Sequence, residues 1–198
     1  ISNSEIFNIF QDNKRILLFL FEEKILIMDR SIIIRIINDK YQYENYLQYF
    51  LPEIKSLKQE NWLLQYISEY ELNKELPDNF DELRKEGQND SYICKLIRND
   101  SVEEFIQYVN RNNYSLQSPI PNSIYETNSF LIEKINLYNS EYPENFSYSD
   151  ISKYSYIIRL IDYAAFFGSF EIFKYLQLNS VEFNPHLWIF TIHGKNAE

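Results

Sequence analysis

Glycine is nearly missing from this sequence: Gly87, Gly168 and Gly194 are the only ones in 198 residues. A phosphate-cradling loop of the Walker or dinucleotide kind needs closely spaced glycines, so both are excluded. One cysteine, Cys94, rules out an internal disulfide and any multi-cysteine metal site, and implies a reducing compartment. The two histidines, His186 and His193, stand seven apart with no acidic residue at ligand spacing, and neither HExxH nor CxxC occurs. No metal and no cofactor is therefore expected. Positive charge is also short. With 19 Lys and Arg against 29 Asp and Glu the formal charge is −10, the reverse of what phosphate neutralisation needs, so nucleic acid is excluded as a partner. The longest apolar run, Ile16–Phe21, is far too short to span a bilayer. The opening residues ISNSEIFNIF lack the basic start of a signal peptide. A cytoplasmic protein without membrane insertion is the expectation. The chain begins with Ile1 rather than Met, which reads as a fragment of a longer protein.

The hydrophobic share is 45% and the charged share 24%, values of a globular chain with a sizeable core, and aromatics reach 17%. Isoleucine, asparagine and tyrosine are so abundant throughout that Ile32-Ile33-Ile34 carries little weight as a vote for a strand. Periodicity is more telling. Leu17, Leu20-Phe21, Ile25, Met28, Ile32-Ile33 and Ile36 recur at three- and four-residue steps, a helical stripe with its break expected at Asp29–Ser31. Tyr46, Leu47 and Phe50 share a face, Pro52 suits a first helical turn, and Trp62–Leu72 repeats the pattern. An acidic stretch with Pro77 then leads to a short helix, Phe80–Glu86, closed by Gly87. An all-α chain follows, with an irregular helical N-terminal region at residues 1–88.

Residues 89–198 read as divergent repeats. In residues 89–115, Asn99-Asp100 turns between two short helices, and Ser101-Val-Glu-Glu104 spells a capping box. Residues 119–139 hold a second such box, Ser123-Ile-Tyr-Glu126, ahead of an apolar-faced helix Phe130–Tyr138. A Ser-, Tyr- and Asn-rich insertion occupies 140–155. The best-formed unit, 157–183, contains LIDYAAFFGSFEIFKYLQL, in which Gly168 suits a left-handed helix stop and Ser169 suits the next cap. A partial unit, 185–198, closes the series, and its Leu187, Trp188, Phe190 and Ile192 lack a second helix to cover them. The polypeptide is accordingly expected to continue past Glu198, or a partner to cover this face.

The 157–183 unit resembles an ankyrin repeat: Ile161, Ala164, Ala165, Gly168, Glu171, Ile172, Lys174, Tyr175 and Leu176 match that pattern. Arg159-Leu160 in place of Thr-Pro and Asp162 in place of His depart from it. Glu104–Val109 aligns with Glu171–Leu176 at an offset of 67, about two ankyrin periods of roughly 33, which calls for one unit between them. The blocks Gln88–Cys94, Ser123–Leu131, Ala164–Leu176 and His193-Gly194 extend over about Asn79–Glu198. In this order they resemble protozoan ankyrin-repeat proteins that carry an uncharacterised helical domain before the repeats. That resemblance implies a helical solenoid and a non-catalytic scaffold for protein–protein interaction, with partners it does not name.

In the ankyrin pattern the variable positions after Ala164-Ala165 are Phe166 and Phe167, with Tyr156 in the preceding turn. Either these aromatics anchor a partner on the concave face or the two phenylalanines fill space between repeats. His193, from the final half-repeat, is the fourth candidate. No catalytic residue is indicated, since Glu22-Glu23 and Glu103-Glu104 are adjacent and diverge on a helix. A constitutive piece of a larger assembly, such as a cytoskeletal one, is the competing reading, ahead of an enzyme with a site between the halves.

Overall fold

The computed structural model describes residues 2–38, 45–57, 75–132, 157–183 and 187–194. The chain is all-α, and the one β-type pairing among the described residues is an isolated antiparallel bridge, Pro119 with Arg159. It divides into two compact units: Ile1–Gln88 with Ile124–Ser129, and Asn89–Ser123 with Phe130–Glu198. The expected helix at Trp62–Leu72 and the insertion at 140–155 lie outside the described residues.

The first unit opens with α1 (Asn3–Phe10), whose start is fixed by a reciprocal cap. Glu5 N–H donates to Ser2 Oγ, and Ser2 N–H donates back to the Glu5 carboxylate at 2.7 Å. Asn13 accepts from Ile16 N–H and starts α2 (Lys14–Glu22). The helical stripe then breaks earlier than its period suggested. Lys24 takes φ 56 just after α2, and Asp29, expected within the break, instead caps α3 (Arg30–Asn38) by accepting from Ile32 N–H. Periodicity could not see this because Leu26 and Met28 in the connecting loop are buried as deeply as the helical residues. Two short helices, α4 (Tyr46–Tyr49) and α5 (Leu51–Lys55, with Pro52 in its first turn), complete the apolar cluster. Helix α6 (Phe80–Glu86) ends where its sequence indicates, on Gly87 in the left-handed region at φ 66.

Two buried cations organise the rest of this unit. Arg84 binds Glu53 through its two terminal guanidinium nitrogens, at 2.7 and 3.0 Å, and donates to the Tyr49 carbonyl. Tyr49 Oη returns a bond to the Arg84 carbonyl, and burial pushes that phenol up to about 12, so it remains a neutral donor. Lys14, only 2% exposed, donates to the carbonyls of Ile124 and Glu126 and lies over the rings of Tyr46 and Tyr49.

The second unit is built on two helical hairpins: α7 (Tyr92–Arg98) with α8 (Val102–Arg111), and α9 (Leu160–Phe167) with α10 (Phe170–Leu178). Their backbones are punctuated alike. The first turn uses Asp100 at φ 49 and the second Gly168 at φ 67, each followed by a serine whose N–H reaches back to close the helix, Ser101 to Leu96 and Ser169 to Ala164. After the second helices, Asn113 and Ser180 are left-handed in turn, and Asn112 and Asn179 donate to the carbonyls four residues back. First helix packs on first helix, α7 on α9, and second on second, α8 on α10. Ala164 and Ala165, both buried, permit the close approach of α9 to its neighbours.

Two expectations change here. Within the unit expected at 119–139, residues 119–128 contain no helix, so Ser123–Glu126 does not open one there, and 124–129 belongs to the first unit. Helix appears only at 129–132, and the rest of Phe130–Tyr138 lies outside the described residues. The two hairpins pack directly on each other. Nor do Ser101 and Ser169 cap through their side chains. Asp100, on the turn of the first hairpin, accepts from Glu171 and Ile172 N–H and so caps α10 of the second, while Ser169 Oγ donates to the Ile97 carbonyl. The last described helix, α11 (Leu187–His193), seats on α9 through the buried Phe190.

Candidate interaction surface

Helix α9 packs on both α7 and α11 within the second unit. Phe166 is buried and stacks nearly parallel to Phe130 at 6.0 Å. Phe130 also meets the edge of Phe190 at 5.3 Å and the imidazole face of His193 at 4.1 Å. Phe167, half-buried, touches Phe166 and Tyr163, and the Arg98 guanidinium lies 5.9 Å from its ring. Arg98 is held in place by donating to the Asn89 carbonyl at 2.8 Å and to Tyr163 Oη at 2.9 Å. These contacts make a continuous aromatic array across α7, α9, α11 and the 129–132 turn. Each such ring pair contributes on the order of 1 kcal/mol beyond simple burial.

The candidates from the sequence divide accordingly. Phe166 is inside the array and packs, so it offers no exposed anchor. Phe167 and His193 sit at the array's accessible border, and Tyr156 lies outside the described residues. Arg98 and Phe130 were not singled out by sequence reasoning. Arg98 reads as an ordinary C-terminal helix cation, and Phe130 as the first residue of the helix expected at Phe130–Tyr138. Among the described residues, the exposed large hydrophobic side chains of the unit are Tyr92 on α7, Phe170 and Leu178 on α10, Phe183, and Trp188 and Ile192 on α11. Trp188 is 59% exposed and Ile192 56%, so the face of α11 away from α9 is open among the described residues.

Asp162, at the position where ankyrin repeats place histidine, is completely buried. Its Oδ2 accepts from Arg159 N–H at 2.9 Å and faces Arg159 Nε at 3.7 Å, while Oδ1 has no hydrogen-bond partner among the described residues. Burial pushes its carboxyl up to about 6, against the opposing pull of Arg159. Cys94 is buried in the same core. Among the described residues no three His, Cys, Asp or Glu side chains come together as a metal site would require, and no helix is long and apolar enough to cross a membrane. Comparison with known protein families, with curated proteins and with solved structures finds no match to this chain.

Proposed function

We propose that the chain is a non-catalytic scaffold for protein–protein interaction, its second unit a divergent ankyrin-like stack acting in the cytoplasm. One observation carries this reading: two hairpins with the same turn punctuation pack like helix on like helix, and α11 adds to α9 as a further first helix would. Stacks of this kind present their first helices and turns to partners. Phe167 and Arg98 at the array border, and Trp188 and Ile192 on α11, are the side chains such a partner would meet. Aromatic and arginine residues dominate the energetics of interfaces of this kind. The acidic balance of the chain favours a protein partner over nucleic acid.

Affinity capture from a native lysate with the whole chain as bait tests the reading, with Phe167→Ala and Trp188→Ala chains run in parallel. A partner retained by the unaltered chain and weakened tenfold or more by either substitution, with the melting temperature unchanged in Trp188→Ala, is the expected result. Capture indifferent to both substitutions overturns it. A second reading, a constitutive component of a larger assembly, is favoured by the exposure of Phe170, Leu178, Trp188 and Ile192, since permanent interfaces are the more apolar ones. It predicts that capture survives high salt.

A further inference from the structure

The segment Ile124–Ser129 belongs to the first unit, yet the residues on either side of it belong to the second. It is also non-helical up to Asn128. The first unit holds it as a groove holds a peptide. Lys14 Nζ donates to the Ile124 carbonyl at 3.1 Å and to the Glu126 carbonyl at 3.3 Å, its ammonium 5.4 and 5.2 Å from the ring centres of Tyr46 and Tyr49. Both acceptors are main-chain atoms, so this grip is indifferent to sequence. Selectivity lies between and beyond them. Tyr125 is buried, its ring edge-on to Phe80 at 5.5 Å. Thr127 donates to the Gly87 carbonyl twice, from N–H at 3.1 Å and from Oγ1 at 2.8 Å. A Cβ on Gly87 would stand 2.5 Å from Thr127 Oγ1, so the glycine that ends α6 also makes the seat for the threonine.

We propose that the first unit contains a peptide-binding groove, filled in cis by Ile124–Ser129, that takes a segment of the pattern apolar–Tyr–Glu–Thr, the glutamate being buried alongside the tyrosine. Main-chain hydrogen bonds supply the grip and one pocketed aromatic supplies the choice, a division of labour common to peptide-reading modules. The segment is contiguous and short. It also enters the unit from sequence neighbours that are not part of it. This inference concerns the first unit and stands apart from the reading of the second unit's surface.

The test uses a fluorescein-labelled peptide, PNSIYETNSF, corresponding to residues 121–130, and the full chain in three forms. One is unaltered, one has 124–129 replaced by a six-residue Gly-Ser linker, and one carries Tyr125→Ala with Thr127→Ala. Both altered chains should bind the peptide at least tenfold more tightly than the unaltered chain, whose groove is already filled. Adding Lys14→Met to the linker form should weaken binding at least tenfold, as should replacing the peptide's tyrosine by alanine. Equal binding by altered and unaltered chains, or binding insensitive to Lys14→Met and to the tyrosine, overturns the proposal. Loss of cooperative unfolding in both altered chains overturns it as well, because the segment is then part of the unit's core and not an exchangeable ligand.

Discussion

The two units solve the same problem, burying a helical chain rich in aromatics, by different means. The first is fastened by buried cations: Arg84 binds Glu53 and the Tyr49 carbonyl, and Lys14 binds two further carbonyls. The second is fastened by repetition, one hairpin geometry used twice and joined where Asp100 caps the helix of the neighbouring hairpin. Among the described residues its one fully buried charged side chain is an acid, Asp162, without a full set of partners. The difference teaches where each unit is fragile. A polar network fails when a single member is removed, because the others are left buried and uncompensated. A stack fails by small increments at its turns and caps.

The largest expected effect tests the first half of that contrast. Arg84→Ala strands Glu53 and should cost about 3–5 kcal/mol. Chemical denaturation would report the loss, and amide exchange should place it within residues 1–88. A cost below about 1 kcal/mol would mean that the network is ornamental and that the apolar cluster alone holds the unit.

The two left-handed glycines sharpen the comparison. Gly87→Val combines a positive φ with a collision against Thr127, whereas Gly168→Val brings the strain of a positive φ. The first should cost about 3 kcal/mol and the second about 1–2 kcal/mol, the penalty of a left-handed L-residue. Melting temperatures of the pair would check the order. Equal losses would show that Thr127 gives way at little cost, and the seat would then be softer than its geometry implies.

Asp162 is the pH-sensitive element of the second unit. Its carboxyl is raised from 3.8 to about 6 by burial, so the folded state prefers the protonated form. The stability it contributes is fully present below 3.8 and is lost as pH rises through about 6. A shift of this size corresponds to on the order of 2–3 kcal/mol. Stability measured from pH 4.5 to 7.5 should fall in the unaltered chain, and Asp162→Asn should remove that part of the slope. An unchanged slope in Asp162→Asn would mean that the carboxylate remains ionised and is compensated in place.

The smallest effect tests the joint between hairpins. Asp100→Ala removes the acceptor for Glu171 and Ile172 N–H and should cost about 1 kcal/mol, a typical value for an N-cap. Asp100→Asn, which keeps an acceptor and tolerates the left-handed turn, should restore most of it. If alanine and asparagine behave alike, the cap is incidental to the packing of the hairpins.

Local signals carried much of this architecture. The apolar period foretold an all-α chain, Phe80–Glu86 with Gly87 announced a helix and its stop, and Gly168 announced the turn of the second hairpin. Such features depend on residues a few positions apart, where backbone sterics and side-chain period act directly. What the sequence could not show were contacts between distant residues. Ser169 spells a cap, yet an aspartate sixty-nine residues earlier provides it, because packing α8 on α10 brings that carboxylate to the helix end. Ser123–Glu126 spells another, yet Lys14 and Gly87 draw the neighbouring main chain into a non-helical seat in the first unit. The border of the aromatic array was half legible, through Phe167 and His193, and half hidden, because Arg98 and Phe130 acquire their meaning only when α7, α9 and α11 come together. The helices and their ends were thus written locally. Which groups satisfy those ends, and which side chains meet, was decided by tertiary packing, because a buried hydrogen-bonding group takes its partner from whatever the fold brings within reach.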